Sequence, residues 1–120
     1  MKYLCLVYQV EAEIDAMPGN EYDAIVDEVL AYREELRASG HYIDSSPLES
    51  VSSATTLRVR HGQLSITDGP FAETREQLGG YYLIEATDLN DAIRIAAKMP
   101  PARIGTIEIR PLKTFQPRSH

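Results

Sequence analysis

Cysteine is almost absent from this sequence: Cys5 is the only one among 120 residues. No intrachain disulfide can form, and a lone cysteine inside an apolar run reads as a small buried hydrophobe in a protein kept in a reducing cytoplasm. Long apolar runs are missing as well. Met1 to Val10 is apolar but interrupted by Lys2, Tyr3, Tyr8 and Gln9, and no small-residue cleavage site follows it, which argues against an export signal. Nothing approaches the roughly eighteen consecutive apolar residues of a membrane span, so a soluble protein without a membrane partner is expected. Positive charge is scarce. Twelve Lys and Arg stand against eighteen Asp and Glu, a net charge of -6 without a basic cluster, and phosphate backbones need such a cluster. No nucleic-acid partner is expected. His41, His61 and His120 lack ligand spacing and neighbouring Cys or His, so no metal site is expected. Nor is there a phosphate-cradling glycine loop, nucleophile elbow or dinucleotide fingerprint.

What remains, 43% hydrophobic and 25% charged residues, is the composition of one globular domain with one core. Both alternating residue sets from Lys2 to Val10 are apolar, which predicts a strand covered on both faces. Glu11 to Gly19 reads as a polar loop, and Asn20 as the N-cap of a long helix whose apolar residues Tyr22, Ile25, Val26, Val29, Leu30, Tyr32 and Leu36 recur every three or four positions up to Gly40. Tyr42 and Ile43 suggest a short strand before the Ser/Pro-rich turns of Asp44 to Ser53. Thr56–Arg60 and Gln63–Thr67 alternate around His61-Gly62 as a hairpin. Pro70 to Gln77 fits a short helix, and Tyr81 to Ala86 a strand. Asp88 and Asp91 resemble a capping box ahead of a second long helix striped by Leu89, Ala92, Ile93, Ala96 and Ala97, and after Pro100-Pro101 a last strand runs from Ile104 to Leu112.

That order is an α+β, ferredoxin-like split βαβ unit with an inserted hairpin. Its two helices can cover one face of the sheet, whereas the first strand is apolar on both, so a second subunit is the expected cover for the other face.

The stretch from Asp68 to Tyr82, DGPFAETREQLGGYY, followed by Leu83-Ile84-Glu85-Ala86 and Ile107-Glu108-Ile109-Arg110-Pro111, resembles the DGPF-motif branch of the YCII-related family. The resemblance implies a single domain over residues 1–120, a dimeric α/β barrel with a cleft near the sheet face, and no obligatory organic cofactor. Some members of this branch are encoded beside alternative sigma factors, which suggests a stress or regulatory context. Another branch of the family includes a dehydrochlorinase of an aromatic substrate, with a His on the first helix and an Asp after the second. Here the first helix has no histidine and the later segment reads Lys98-Met99-Pro100-Pro101, so that pair does not carry over.

Asp68 is the candidate catalytic residue: a carboxylate at a strand end before a Gly-Pro turn is held by the backbone and can act as acid or base. Its competing role is to cap its own turn. Gly69 and Pro70 shape that turn, and Phe71 reads as a core anchor. Glu73 and Glu76, either side of Arg75, read as a solvated face. Candidate ligand-binding residues are His41, Tyr81, Tyr82, Glu108 and Arg110. Tyr81 and Tyr82 must point to opposite faces of their strand, and Glu108 and Arg110 share one face of theirs. His41 opens a strand and is placed to line the cleft with Asp68 or to sit half-buried in a hydrogen bond. Two functions fit: a small-molecule enzyme of lyase, isomerase or hydrolase type using Asp68, or a dimer that binds a metabolite or protein and regulates.

Overall fold

A computed structural model describes residues 1–118; His120 lies outside the described residues. Strand β1 (Lys2–Gln9) is followed by a short helix α1 (Glu11–Asp15), the long helix α2 (Gly19–Ala38), β2 (Tyr42–Pro47) and a single 3-10 turn (Val51–Ser53). The hairpin β3 (Thr55–Arg60) and β4 (Gln63–Asp68) comes next, then β5 (Gln77–Glu85), α3 (Leu89–Ala96), α4 (Pro101–Ile104) and β6 (Thr106–Pro111). Four strands form one antiparallel sheet in the order β2-β5-β1-β6, and β3-β4 is a separate two-stranded ribbon. The α+β split βαβ order and the inserted hairpin are therefore present, with β5 lying between β2 and β1. Among the described residues no helix is long and apolar enough to cross a membrane.

The core lies between the helices and one face of the sheet. Tyr3, Cys5 and Val7 of β1 and Tyr82 and Ile84 of β5 meet Leu36, Ile95 and Met99 from the helical layer. Tyr32 on α2 donates its hydroxyl to the carbonyl of Ile95 at 2.7 Å, tying the two long helices together. Burial pushes the Cys5 thiol up to about 11, so little thiolate exists at neutral pH. The stop of α2 is a full Schellman motif. Gly40 has φ +81°, the His41 amide donates to the carbonyl of Leu36 at 2.9 Å, and the Gly40 amide donates to that of Arg37 at 3.2 Å. His61 and Gly62 both have positive φ, the two-residue geometry that matches strand twist.

Several expectations are corrected. Glu11–Asp15 is helical rather than loop, and α2 begins at Gly19 behind Pro18 without a side-chain cap, so Asn20 is already inside it. The strand after Gly40 continues through Pro47, since pairing with β5 outweighs the turn preference of Asp44, Ser45 and Ser46. No helix forms at Pro70–Gln77. There the Gln77 side chain donates to the carbonyl of Thr74 at 2.7 Å and accepts from the amide of Glu11 at 3.0 Å, and the Thr74 hydroxyl donates to the carbonyl of Glu76 at 2.5 Å; such bonds compete with a helical ladder. Phe71 in this segment is 79% exposed and anchors no core. The last strand starts at Thr106, because Ile104 still belongs to α4. On α3 the buried stripe is Ala92, Ile95 and Ala96, while Leu89 and Ile93 are exposed.

The start of α3 carries an acid-sensitive lock. Asp88 accepts from the Asp91 amide at 2.8 Å, as a cap should. Asp91 in turn accepts from the Thr87 amide at 2.9 Å and from the Arg94 guanidinium at 2.6 Å. The Thr87 amide first, with Arg94 assisting, holds the Asp91 carboxyl down at about 2 against an ordinary 3.8. A folded pKa below the unfolded one means that the stabilisation is complete above pH 3.8 and is lost as pH falls through about 2. Asp91→Asn should therefore flatten the acid side of the stability curve in that window, as measured by urea unfolding at stepped pH. An acid limb identical to that of the unmodified protein would contradict the assignment.

Candidate functional site

Among the described residues, no helix covers the second face of the sheet. Because side chains alternate along a strand, Leu4 and Leu6 of β1 point away from the core that Tyr3, Cys5 and Val7 enter. The register then aligns two rows across this face. Asp44, Leu83, Leu4 and Arg110 are successive partners from β2 to β6, and Ser46, Tyr81, Leu6 and Glu108 form the next row. Each row is polar at both edges of the sheet and has an apolar floor or an aromatic ring between. With strands about 4.8 Å apart, the edges of a row lie roughly 14 Å from each other, room for one small aromatic ring on the leucine floor.

Asp44 reaches this face through a register shift. Tyr42 pairs with Ile84 but Asp44 pairs with Leu83, so Ile43 is an extra residue and the alternation of β2 is reset behind it. Without the bulge Asp44 would follow Tyr42 toward the helices. With it, the Tyr81 hydroxyl donates to Asp44 Oδ2 at 2.9 Å. That hydrogen bond, before any other influence, raises the Tyr81 pKa and keeps the phenol protonated. With its one proton given to Asp44, the Tyr81 oxygen and the carboxylate both accept from a hydroxyl-bearing ligand, and a ligand carbonyl gains the phenol proton only by taking the place of Asp44. At the opposite edge Arg110 Nε lies 3.9 Å from Glu108 Oε2, an exposed pair worth little for stability.

The remaining candidates are dispersed. Tyr82 is 5% exposed beneath the helices, and burial raises its pKa while Arg33 partly opposes the shift; of the two tyrosines, Tyr81 faces the open side. His41 stands at the end of the sheet where its Nδ1 meets the carbonyl of Glu85 at 2.8 Å, beside a crevice of about 250 Å³ bounded by Met1, Gly40 and Thr87. Asp68 belongs to the far end, at the base of the hairpin, so His41 and Asp68 do not share a cleft within one chain: β2 runs from the Glu85 end of β5 to its Gly80 end before the hairpin begins. The turn after Asp68 is tied by the Gly69 amide to the carbonyl of Ala54 at 2.7 Å and by the Thr56 hydroxyl to the carbonyl of Gly69 at 2.8 Å. Asp68 takes no part in this. Its carboxylate is exposed and has no hydrogen bond or ion pair among the described residues.

Sequence reasoning missed Asp44, which it assigned to a turn; the only available signal was that Tyr42 to Ser46 can continue as a strand. It also missed a second recess of about 330 Å³ where β1 ends and β6 begins, bounded by Glu13, Arg75, Glu76, Arg103 and Thr106. The Thr106 hydroxyl donates to Glu76 there at 3.0 Å, and Arg103 pairs with Glu28. Among the described residues no three His, Cys, Asp or Glu side chains converge as metal ligands.

Against known proteins, the model of the YCII-related domain matches residues 1–116. An uncharacterized protein of Rhizobium meliloti (strain 1021) is 33% identical over 119 residues, covering 98% of this chain and 96% of its own. Among solved structures, 5-chloro-2-hydroxyhydroquinone dehydrochlorinase of Burkholderia phenoliruptrix AC1100, in complex with 2,5-dihydroxybenzoquinone, superposes with a TM-score of 0.56 over 94% of each chain at 15% identity. At that identity the likeness is one of fold.

Proposed function

The chain belongs to the YCII-related family, and from that premise we propose that it is a homodimeric small-molecule enzyme of lyase, isomerase or hydrolase type that holds a phenolic or quinonoid ring on its open sheet face. The single observation that carries the reading is the Tyr81–Asp44 hydrogen bond standing at the edge of the Leu4, Leu6 and Leu83 floor. An apolar floor with a few convergent polar groups is how small aromatic ligands are held. The second subunit, closing a dimeric α/β barrel, would exclude water from this face and strengthen the polar contacts made there. In this reading Asp68 is the acid or base, since its carboxylate is spared any structural bond, and Arg110 orients an anionic group of the ligand. The quinone held by the dehydrochlorinase of the same fold supports the choice of ligand class. A cytoplasmic location fits a protein with one buried thiol.

Thermal-shift screening of phenols, quinones, halogenated aromatics and short carboxylic acids, followed by calorimetry, tests the ligand class. A hit should bind the unmodified protein and lose about tenfold in affinity in Tyr81→Phe, the value of one well-placed hydrogen bond. Binding that is indifferent to both Tyr81→Phe and Asp44→Asn would move the site off this face. Binding without turnover of any hit would favour the alternative, a metabolite-sensing regulatory dimer.

A further inference from the structure

The β3-β4 ribbon has no cover of its own. Leu57 pairs with Ile66 and Val59 with Leu64 across it, which places all four on one face, and they are 62%, 61%, 56% and 61% exposed. Among the described residues, neither strand packs substantially on another element. An isolated two-stranded ribbon is marginal in water unless its apolar face is packed. Yet its base is firmly held. Glu11 accepts from the Ser50 hydroxyl and from the Val51 amide, both at 2.9 Å, and the Ala54–Gly69 bond closes the neck. An arm whose root is fixed and whose apolar face is bare is preorganised to meet another surface.

The exposed area of the whole chain, the arm, the open sheet face and the tail with Phe115 included, is large for its mass. The chain exposes 8733 Å², whereas a compact monomer of 13.4 kDa exposes about 6,500 Å². The difference, roughly 2,200 Å², is on the scale that an obligate homodimer conceals. The molecule is also a plate only 19 Å thick with a radius of gyration of 17.0 Å, against about 13.6 Å for a compact chain of this length. Charge then indicates the partner. Residues 11–28 carry seven carboxylates and no Lys or Arg, and Glu13, Asp15, Glu21, Asp23 and Asp27 are exposed. The arm carries Arg58 and Arg60, neither in an ion pair among the described residues. Beside the acidic stretch α2 leaves Tyr22 and Leu30 exposed at 46% and 42%. One chain thus bears both a cationic arm with an apolar face and an acidic surface with apolar residues, the condition for a reciprocal two-fold contact.

We infer that the β3-β4 hairpin is an exchanged arm. It lays Leu57, Val59, Leu64 and Ile66 on the acid-rich α1-α2 surface of a second copy, while Arg58 and Arg60 reach over the ribbon edge toward its carboxylates. The inference rests on the homodimer reading and adds to it the element that clasps the two subunits.

Sedimentation equilibrium and amide hydrogen exchange on the full chain test it. The unmodified protein should be a dimer with protected arm amides. Combining Leu57→Ser with Ile66→Ser should weaken the dimer by about a hundredfold and leave the arm amides unprotected, since two anchoring side chains are removed. Because that variant can also melt the ribbon, Arg58→Glu with Arg60→Glu is the second arm of the test: it should weaken association by about tenfold at low salt and much less in 1 M salt. A dimer of unchanged affinity in both variants, or fast-exchanging arm amides in the native dimer, overturns the clasp and leaves the homodimer standing. A native monomer with a protected arm shows the arm folded on its own body and overturns both, as does a monomer with an unprotected one.

Discussion

Gly105→Ala is expected to cost about 3 kcal/mol or more and to lower the melting temperature by roughly 10 °C, the largest single-methyl effect in this protein. Gly105 links α4 to β6, and a Cβ there would run into the backbone carbonyl oxygen of Tyr8. Tyr8 is the residue of β1 that pairs with Thr106, so the obstacle is part of the sheet and has no rotamer by which to retreat. Either β6 loses its first pairing with β1 or the chain between α4 and β6 must be rebuilt. Gly19→Ala is the control. Nothing lies within 4 Å of a Cβ at that position, and a helix start tolerates alanine, so its stability should stay within about 0.5 kcal/mol of the parent. Urea and thermal unfolding of the two variants decide the matter; equal stabilities would show that the close approach at Gly105 relaxes freely.

The second large effect concerns turnover. Asp68→Asn keeps the size of the side chain and removes its charge and its ability to exchange a proton. Since the Asp68 carboxylate makes no bond that holds its turn, which Thr56 and Ala54 secure instead, unfolding curves of Asp68→Asn and of the parent should superimpose. If Asp68 is the acid or base, turnover of a substrate found by the screen should fall by about a hundredfold or more while its affinity stays within a few-fold. Full activity in Asp68→Asn would remove this residue from the mechanism and turn attention to the Tyr81–Asp44 pair and Glu108 on the open face. A fall in affinity without a fall in turnover would make Asp68 a binding residue.

Much of this architecture was legible before any coordinates. Periodicity placed β1, the two long helices and β6, the helix-stopping role of Gly40 followed from its freedom at positive φ, and His61-Gly62 was readable as a tight turn between two alternating strands. That the helices suffice for one face of a first strand apolar on both was readable too. These features depend on residues close to one another in the chain, or on a simple balance of apolar faces.

What the tertiary structure alone decided depends on pairing between distant segments. Segment 70–77 has the composition of a helix, but the Gln77 side chain accepts from the amide of Glu11, sixty-six positions away, Gln77 opens β5, and residues 70–76 stay irregular. Phe71 is exposed for the same reason, since no element comes to cover it. Asp44 joins Tyr81 only because one extra residue at Ile43 reverses which side of β2 faces the helices. Composition and local spacing determined that this chain makes a half-covered antiparallel sheet; register, which a single bulge can invert because side chains alternate with a period of two, decided which polar groups stand on the uncovered half.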